Sequence, residues 1–175
     1  MARSSRAANH RTTEPSNHRT LFQMGMLTLS SEDRAFLHQA RVARLATASA
    51  TGEPHVVPVC FIFDGTYFYS AIDSKPKRVA AARLRRLQNL RENPRASLVI
   101  DHYEEDWARL RYVLVMGSGE ILETGQDRER ALDMLREKYP QYHAMRDFGL
   151  GPVIRLTPKR VVSWRGSPPA SAPNT

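Results

Sequence analysis

Pro58 sits in the middle of an apolar run, His55–Phe63. The run is almost continuously apolar, which reads as a strand buried on both faces. A proline has no N–H to give to a ladder, so a central strand should not hold one. The segment must lie at a sheet edge or carry a bulge, or its backbone must face a ligand in place of a neighbouring strand. In the last case the backbone groups of Val57 and Val59 would meet a flat heterocycle edge-on. Asp64-Gly65 follows as a hairpin signal, and Thr66–Ala71 reads as the returning strand.

The rest of the chain is mostly strands. Ser30 with Asp33 forms a variant capping box, opening a short helix to about Gln39. Val42–Ala48 and Ala96–Asp101 read as strands, and Tyr103–Asp106 as an acidic turn. Arg109–Leu122 is a long strand with a bulge expected near Gly117 and Gly119. Gln126–Tyr139 is an amphipathic helix with Ala131, Leu132 and Leu135 inward. Val153–Leu156 and Arg160–Trp164 close the series, joined by a corner at Thr157-Pro158-Lys159. Six or seven short strands with few helices predict a small antiparallel barrel of the α+β class. A length of 175 residues favours one domain. Residues 28–165 are its expected extent, between two tails (1–27 and 166–175) whose composition predicts disorder.

The charge is concentrated. Residues 74–95 hold eight Lys or Arg against one Glu, while the whole chain has a net charge of +8. Ser74 is a plausible N-cap and Pro76 suits a first turn. Ala80, Leu84, Leu87 and Leu90 recur on one face, with Arg78, Arg85 and Asn89 opposite, and Asn93-Pro94 ends the helix. A helix N-terminus flanked by Lys75, Lys77 and Arg78 suits a phosphate. A solvated basic helix is the alternative.

Other classes find little support. No run of eighteen apolar residues is present, so no membrane span is expected, and the basic N-terminus lacks the apolar stretch of a secretory signal. The single cysteine, Cys60, allows no internal disulfide and suits a reducing cytoplasm. The six histidines lack metal-ligand spacing, so no metal is expected. Nucleic-acid motifs are missing, although a basic helix alone could bind nucleic acid weakly.

Pro-His-Val-Val-Pro-Val, Tyr-Phe-Tyr-Ser, Ser-Lys-Pro-Lys, Asn-Leu-Arg-Glu-Asn-Pro-Arg-Ala-Ser-Leu and Val-Met-Gly-Ser-Gly-Glu follow one another in this chain. In that order they resemble the pyridoxamine 5'-phosphate oxidase-like split β-barrel superfamily. The run Asp101–Trp107, together with Lys-Pro-Lys, is closer to the actinobacterial branch that uses the deazaflavin coenzyme F420. The resemblance covers about residues 30–165.

It implies an FMN-binding-type split barrel, a homodimer with cofactor at the interface, and hydride transfer between reduced F420 and a small organic acceptor. FMN is the alternative cofactor. By this resemblance Val57, Pro58 and Val59, with His55 nearby, lie along the ring, and Ser70 and Ala71 flank it. Ser74, Lys75, Lys77 and Arg78 hold the phosphate, and Trp107 and Arg111 approach from the second subunit. Arg83 and Arg86 are candidates for the acidic tail of the deazaflavin. Cys60 stands where pyridoxamine phosphate oxidases carry a basic residue, and the chain ends without their C-terminal substrate segment. Vitamin B6 oxidation is therefore disfavoured. No catalytic acid is assigned, because His55, Tyr69 and Tyr112 have ordinary structural readings.

Overall fold

The computed structural model describes residues 29–72 and 84–167. Ser74, Lys75, Lys77, Arg78 and Arg83 lie outside the described residues, as do most of the two tails.

Helix α1 (Ser31–Gln39) begins as its sequence requires. The Ser30 hydroxyl accepts from the Asp33 N–H, and the Asp33 carboxylate accepts from the Ser30 backbone. Seven strands follow: β1 (Ala43–Ala48), β2 (Pro54–Val59), β3 (Ile62–Phe63), β4 (Phe68–Ala71), β5 (Arg95–His102), β6 (Arg111–Leu122) and β7 (Val153–Arg165). They form one sheet in the order β2-β1-β5-β6-β7-β4-β3, and every pairing is antiparallel. The first and last strands of that order are joined by Cys60 and Phe61 alone. A flat sheet cannot meet that constraint, so the sheet curls until its two edges approach. One hydrophobic cluster accordingly takes Val59 from β2, Leu98 from β5, Val115 from β6 and Phe68 from β4.

Helix α2 (Arg85–Glu92) closes one end, with Leu87 and Leu90 in this core. A Cβ on Gly119 would come 2.7 Å from Leu90 Cδ2, so a larger residue there would have to push the Leu90 side chain aside. Helix α3 (Gln126–Lys138) lies outside the curl. Its Ala131, Leu132 and Leu135 cover Ile62, Tyr69 and Val153, as their spacing predicts.

The structure departs from the sequence reading at four places. The run His55–Phe63 is two strands. The Tyr139 hydroxyl lies 3.0 Å from the Phe61 N–H nitrogen and 2.8 Å from the Phe61 carbonyl, taking both groups out of the ladder. Nor is β2 buried on both faces: exposed residues alternate with half-buried ones up to the buried Val59, and among the described residues β1 is its sole sheet neighbour. Pro58 is therefore an edge-strand proline.

The basic helix does not run unbroken from Ser74. Leu84 is extended (φ −65°, ψ 124°) and caps α2, with its side chain packed on the core. Asn89, expected on the polar face, is 1% exposed. Its Nδ2 donates to Thr47 Oγ1 at 3.1 Å, so a polar pair occupies a place under the helix that pattern alone gives to solvent. Last, Thr157-Pro158-Lys159 is no corner. β7 runs through it, and the register slips so that Met116 faces Arg160 while Gly117 faces Pro158. Lys159 is the extra residue of a bulge, which accommodates the missing proline donor. A Cβ on Gly117 would fall 2.1 Å from the Thr157 carbonyl oxygen, so the glycine is required there.

Candidate functional site

The open edge of β2 and the N-terminus of α2 meet at one end of the barrel. His55 pairs with Thr47 across the β1–β2 ladder, and Asn89 of α2 reaches the same Thr47. Strand alternation turns His55, Val57 and Val59 toward the interior, where Val57 and Val59 pack on the core. Val56 and Pro58 face out. Beyond them lies the outer edge of β2, a row of backbone groups with no strand alongside among the described residues.

Among the described residues two buried polar atoms here have no hydrogen-bond partner: His55 Nδ1 and Asn89 Oδ1. Buried polar atoms are nearly always paired, so an ordered water or a bound molecule is expected to supply the partner of each. Among the described residues no side chain caps the α2 N-terminus, and no acidic residue lies in its first turn. Arg85 and Arg86 open the helix, and Arg85 reaches Glu53 at 3.1 Å. His55 is held below the ordinary histidine range, first by burial and then by Arg86 and Arg85, with Glu53 opposing. The neutral imidazole is therefore favoured, in a positive field suited to an anion.

The other expected residues are spread out. On β4, Ser70 is buried and alternates with Ala71, whose side chain packs in the cluster under α3. Ser70 and Ala71 thus face opposite sides of the sheet. Arg111 pairs with His102 at the far end of β5 from Ala96, which pairs with Thr47. Six residues of strand separate those ends, about 20 Å at a rise of ~3.3 Å per residue. Within one chain, therefore, Trp107 and Arg111 do not join the β2–α2 site. Trp107 is 71% exposed.

The sequence reading missed Asn89 and Thr47 as site residues, because a polar pair beneath a helix leaves no periodic signal. It also missed Tyr139, which fixes the β2–β3 junction. Lys138 beside it donates to the Leu37 carbonyl at 2.9 Å and lies 4.0 Å from the Phe61 ring centroid. Burial pushes its ammonium down to about 8. Among the described residues no helix is long and apolar enough to cross a membrane.

A sequence model of the pyridoxamine 5'-phosphate oxidase family matches residues 29–165, nearly all of the described chain. This chain belongs to that family. A relative from Streptomyces rimosus subsp. rimosus, 5a,11a-dehydrotetracycline/5a,11a-dehydrooxytetracycline reductase, is 30% identical over 142 residues, covering 79% of this chain and 84% of the relative. A conserved hypothetical protein from Mycobacterium tuberculosis shares the fold with a TM-score of 0.63 at 22% identity, covering 83% of this chain and 90% of that one. An FAD-binding protein from Mesorhizobium loti shares it at a TM-score of 0.55 and 22% identity, covering 77% and 94%. The split-barrel fold of the pyridoxamine 5'-phosphate oxidase family is thus common to chains of very different sequence.

The described residues fit a phosphorylated, flat heterocyclic cofactor. An open strand edge offers backbone donors and acceptors to a ring with polar edges. Two orphaned polar atoms and an uncapped helix end with two arginines supply the complement of an anionic, hydroxylated chain.

Proposed function

We propose that the protein is an oxidoreductase that reduces a small organic acceptor with the deazaflavin coenzyme F420. What carries the reading is the 30% identity to a reductase over 79% of the chain, within an oxidase family. The family supports a cofactor of the flavin or deazaflavin kind. The choice of the deazaflavin rests on the Lys75-Pro76-Lys77 motif and the Asp101–Trp107 run.

When bound, the reduced cofactor would supply a hydride, and the protein supplies position and electrostatics. Val57, Pro58 and Val59 hold the ring by backbone along the β2 edge, while the inward Val57 and Val59 side chains exclude water. Ser70 flanks it, and Ala71, whose side chain packs under α3, can do so only through its backbone. Ser74, Lys75, Lys77 and Arg78 hold the phosphate, with Arg85 and Arg86 extending the positive field. Neutral His55 offers its unpartnered Nδ1 to the bound molecule.

A second copy of the chain completes the site. The outer face of β2, β1, β5, β6 and the end of β7 is uncovered by the described helices. One rung across it runs Pro58, Arg44, Val99, Leu114 and Val162, and the next Val56, Ala46, Ser97 and Met116. Val56 on this face is 58% exposed. An apolar sheet face of this breadth suits a homodimer, and pairing would bring Trp107 and Arg111 of the second copy to the first copy's β2 edge.

Titration with F420 and with FMN, followed by the visible absorbance of each, tests the reading. Binding of F420, with acceptor-dependent oxidation of its reduced form, is expected. Tight binding of FMN with no binding of F420 would move the protein to the flavin enzymes.

A further inference from the structure

The end of the barrel opposite α2 holds a cavity of about 280 Å³, lined by residues of the β5–β6 turn, the start of β6 and the end of β7. Its charges are accounted for, with one exception. Glu104 accepts from His102 Nε2 at 3.0 Å and from Arg109 Nε at 3.1 Å. Arg165 is paired with Glu32 and with Asp33, the latter at 2.8 Å. Arg111 lines the same cavity and has no carboxylate partner among the described residues. Its guanidinium lies 4.1 Å from the centroid of the Phe36 ring. Stacking of this kind fixes a guanidinium in place and leaves its N–H edge for an acceptor.

The surroundings specify more than charge. Leu110 and Ala108 give the cavity an apolar part. Next in the chain stands Trp107, 71% exposed, and Tyr103 on the same turn is 65% exposed. Two large exposed aromatic side chains on the turn that borders the cavity, and a guanidinium without a carboxylate partner among the described residues, suit a flat ring bearing an acidic group. The turn is held close to β7: the Gly166 N–H donates to the Leu110 carbonyl at 2.7 Å, and a Cβ on Gly166 would lie 2.0 Å from the Trp107 carbonyl oxygen.

We infer that this cavity binds the carboxylate, or an equivalent planar oxyanion, of a small aromatic compound through Arg111. Two sources share that chemistry: the electron acceptor's own acidic group, and the anionic tail of the cofactor. Assigning the anion to an acceptor rests on the reductase reading above, whereas the binding itself does not.

Calorimetric titration of the full chain with naphthoate and with naphthamide, without cofactor, tests the inference. Naphthoate is expected to bind about tenfold tighter, as one charge-assisted bidentate pair requires. Arg111→Gln should lose that preference and keep its naphthamide affinity, and Arg111→Lys should retain part of it. Equal affinity of the native chain for acid and amide overturns the inference, and so does undiminished naphthoate binding by a folded Arg111→Gln variant. The acid–amide comparison uses native protein, so it holds even where a variant fails to fold. Repeating the titration with saturating F420 distinguishes the sources: unchanged naphthoate binding assigns the anion to the acceptor, and displacement assigns it to the cofactor. The acid–amide comparison contains no cofactor, so its outcome stands whether or not the F420 reading does.

Discussion

The two ends of the barrel are both closed by a short helix, and they treat their polar groups in opposite ways. At the α1 end Ser30 and Asp33 satisfy each other. Asp33, 6% exposed, also accepts from Arg165 Nη2 at 2.8 Å, tying the helix to the last strand. At the α2 end, among the described residues, the helix has no side-chain cap and His55 Nδ1 and Asn89 Oδ1 are buried without partners. A helix that only closes a barrel gains from every cap it can form, worth typically about 1 kcal/mol. Leaving groups unpaired is costly unless something else pairs them. On the function proposed above, the contrast separates a structural end from a binding end, and Arg111, without a carboxylate partner among the described residues, is the exception at the structural one.

The sharpest way to break the comparison is charge reversal at the binding end. Lys75→Glu/Lys77→Glu should lower F420 affinity by a hundredfold or more, since two charge-assisted contacts are worth roughly 3 kcal/mol or above. The thermal midpoint of the apoprotein should stay within a few degrees. Undiminished binding, measured by fluorescence titration, would sink the phosphate reading. The mirror experiment is Asp33→Ala, expected to cost about 2–3 kcal/mol in denaturant unfolding, because it removes a cap and leaves Arg165 without one of its two carboxylates. Cofactor affinity in that variant should change less than twofold. A large loss of affinity there would show that the two ends are coupled.

Asn89→Leu has a smaller effect and a mixed sign. The substitution removes an orphaned acceptor together with the hydrogen bond to Thr47, so stability should move by no more than about 1 kcal/mol. F420 affinity should fall about tenfold. If stability collapses while affinity is kept, Asn89 belongs with the structural end.

The barrel was legible where the pattern is local. Ser30 and Asp33 announce α1, Asp64-Gly65 the hairpin, and Gly117 the irregularity in the long strand. Pro58 admitted a sheet edge among its readings, and its strand lies at one. What the sequence could not carry were decisions made by distant residues. Tyr139, 78 positions away, splits the apolar run at Phe61. Gly117 lets Pro158 remain inside β7 as part of a bulge. Thr47 draws Asn89 inward against its polarity. The same holds for the site: the β2 edge was readable from its proline, whereas Arg111 was placed by family resemblance, and its lack of a carboxylate is visible only once His102, Glu104 and Arg165 are assembled around it.

The finest probe of the contrast is pH, through His55. Burial and the Arg85–Arg86 field lower its proton affinity in the folded chain below the ordinary value of about 6.5. As pH falls, the unfolded chain therefore takes up this proton first, and unfolding gains. The His55 contribution to stability is complete above about 6.5 and is lost as pH drops toward the folded value. The effect is small, because the imidazole is only partly buried. Cofactor affinity should run the other way, since a protonated His55 adds positive charge facing an anion and the anion in turn raises the proton affinity. Native protein should thus lose stability and gain F420 affinity between about pH 7 and 5.5, and His55→Gln should flatten both slopes. Parallel slopes, or slopes that survive the substitution, would remove His55 from the anion's surroundings and leave its unpartnered nitrogen as a feature of packing alone.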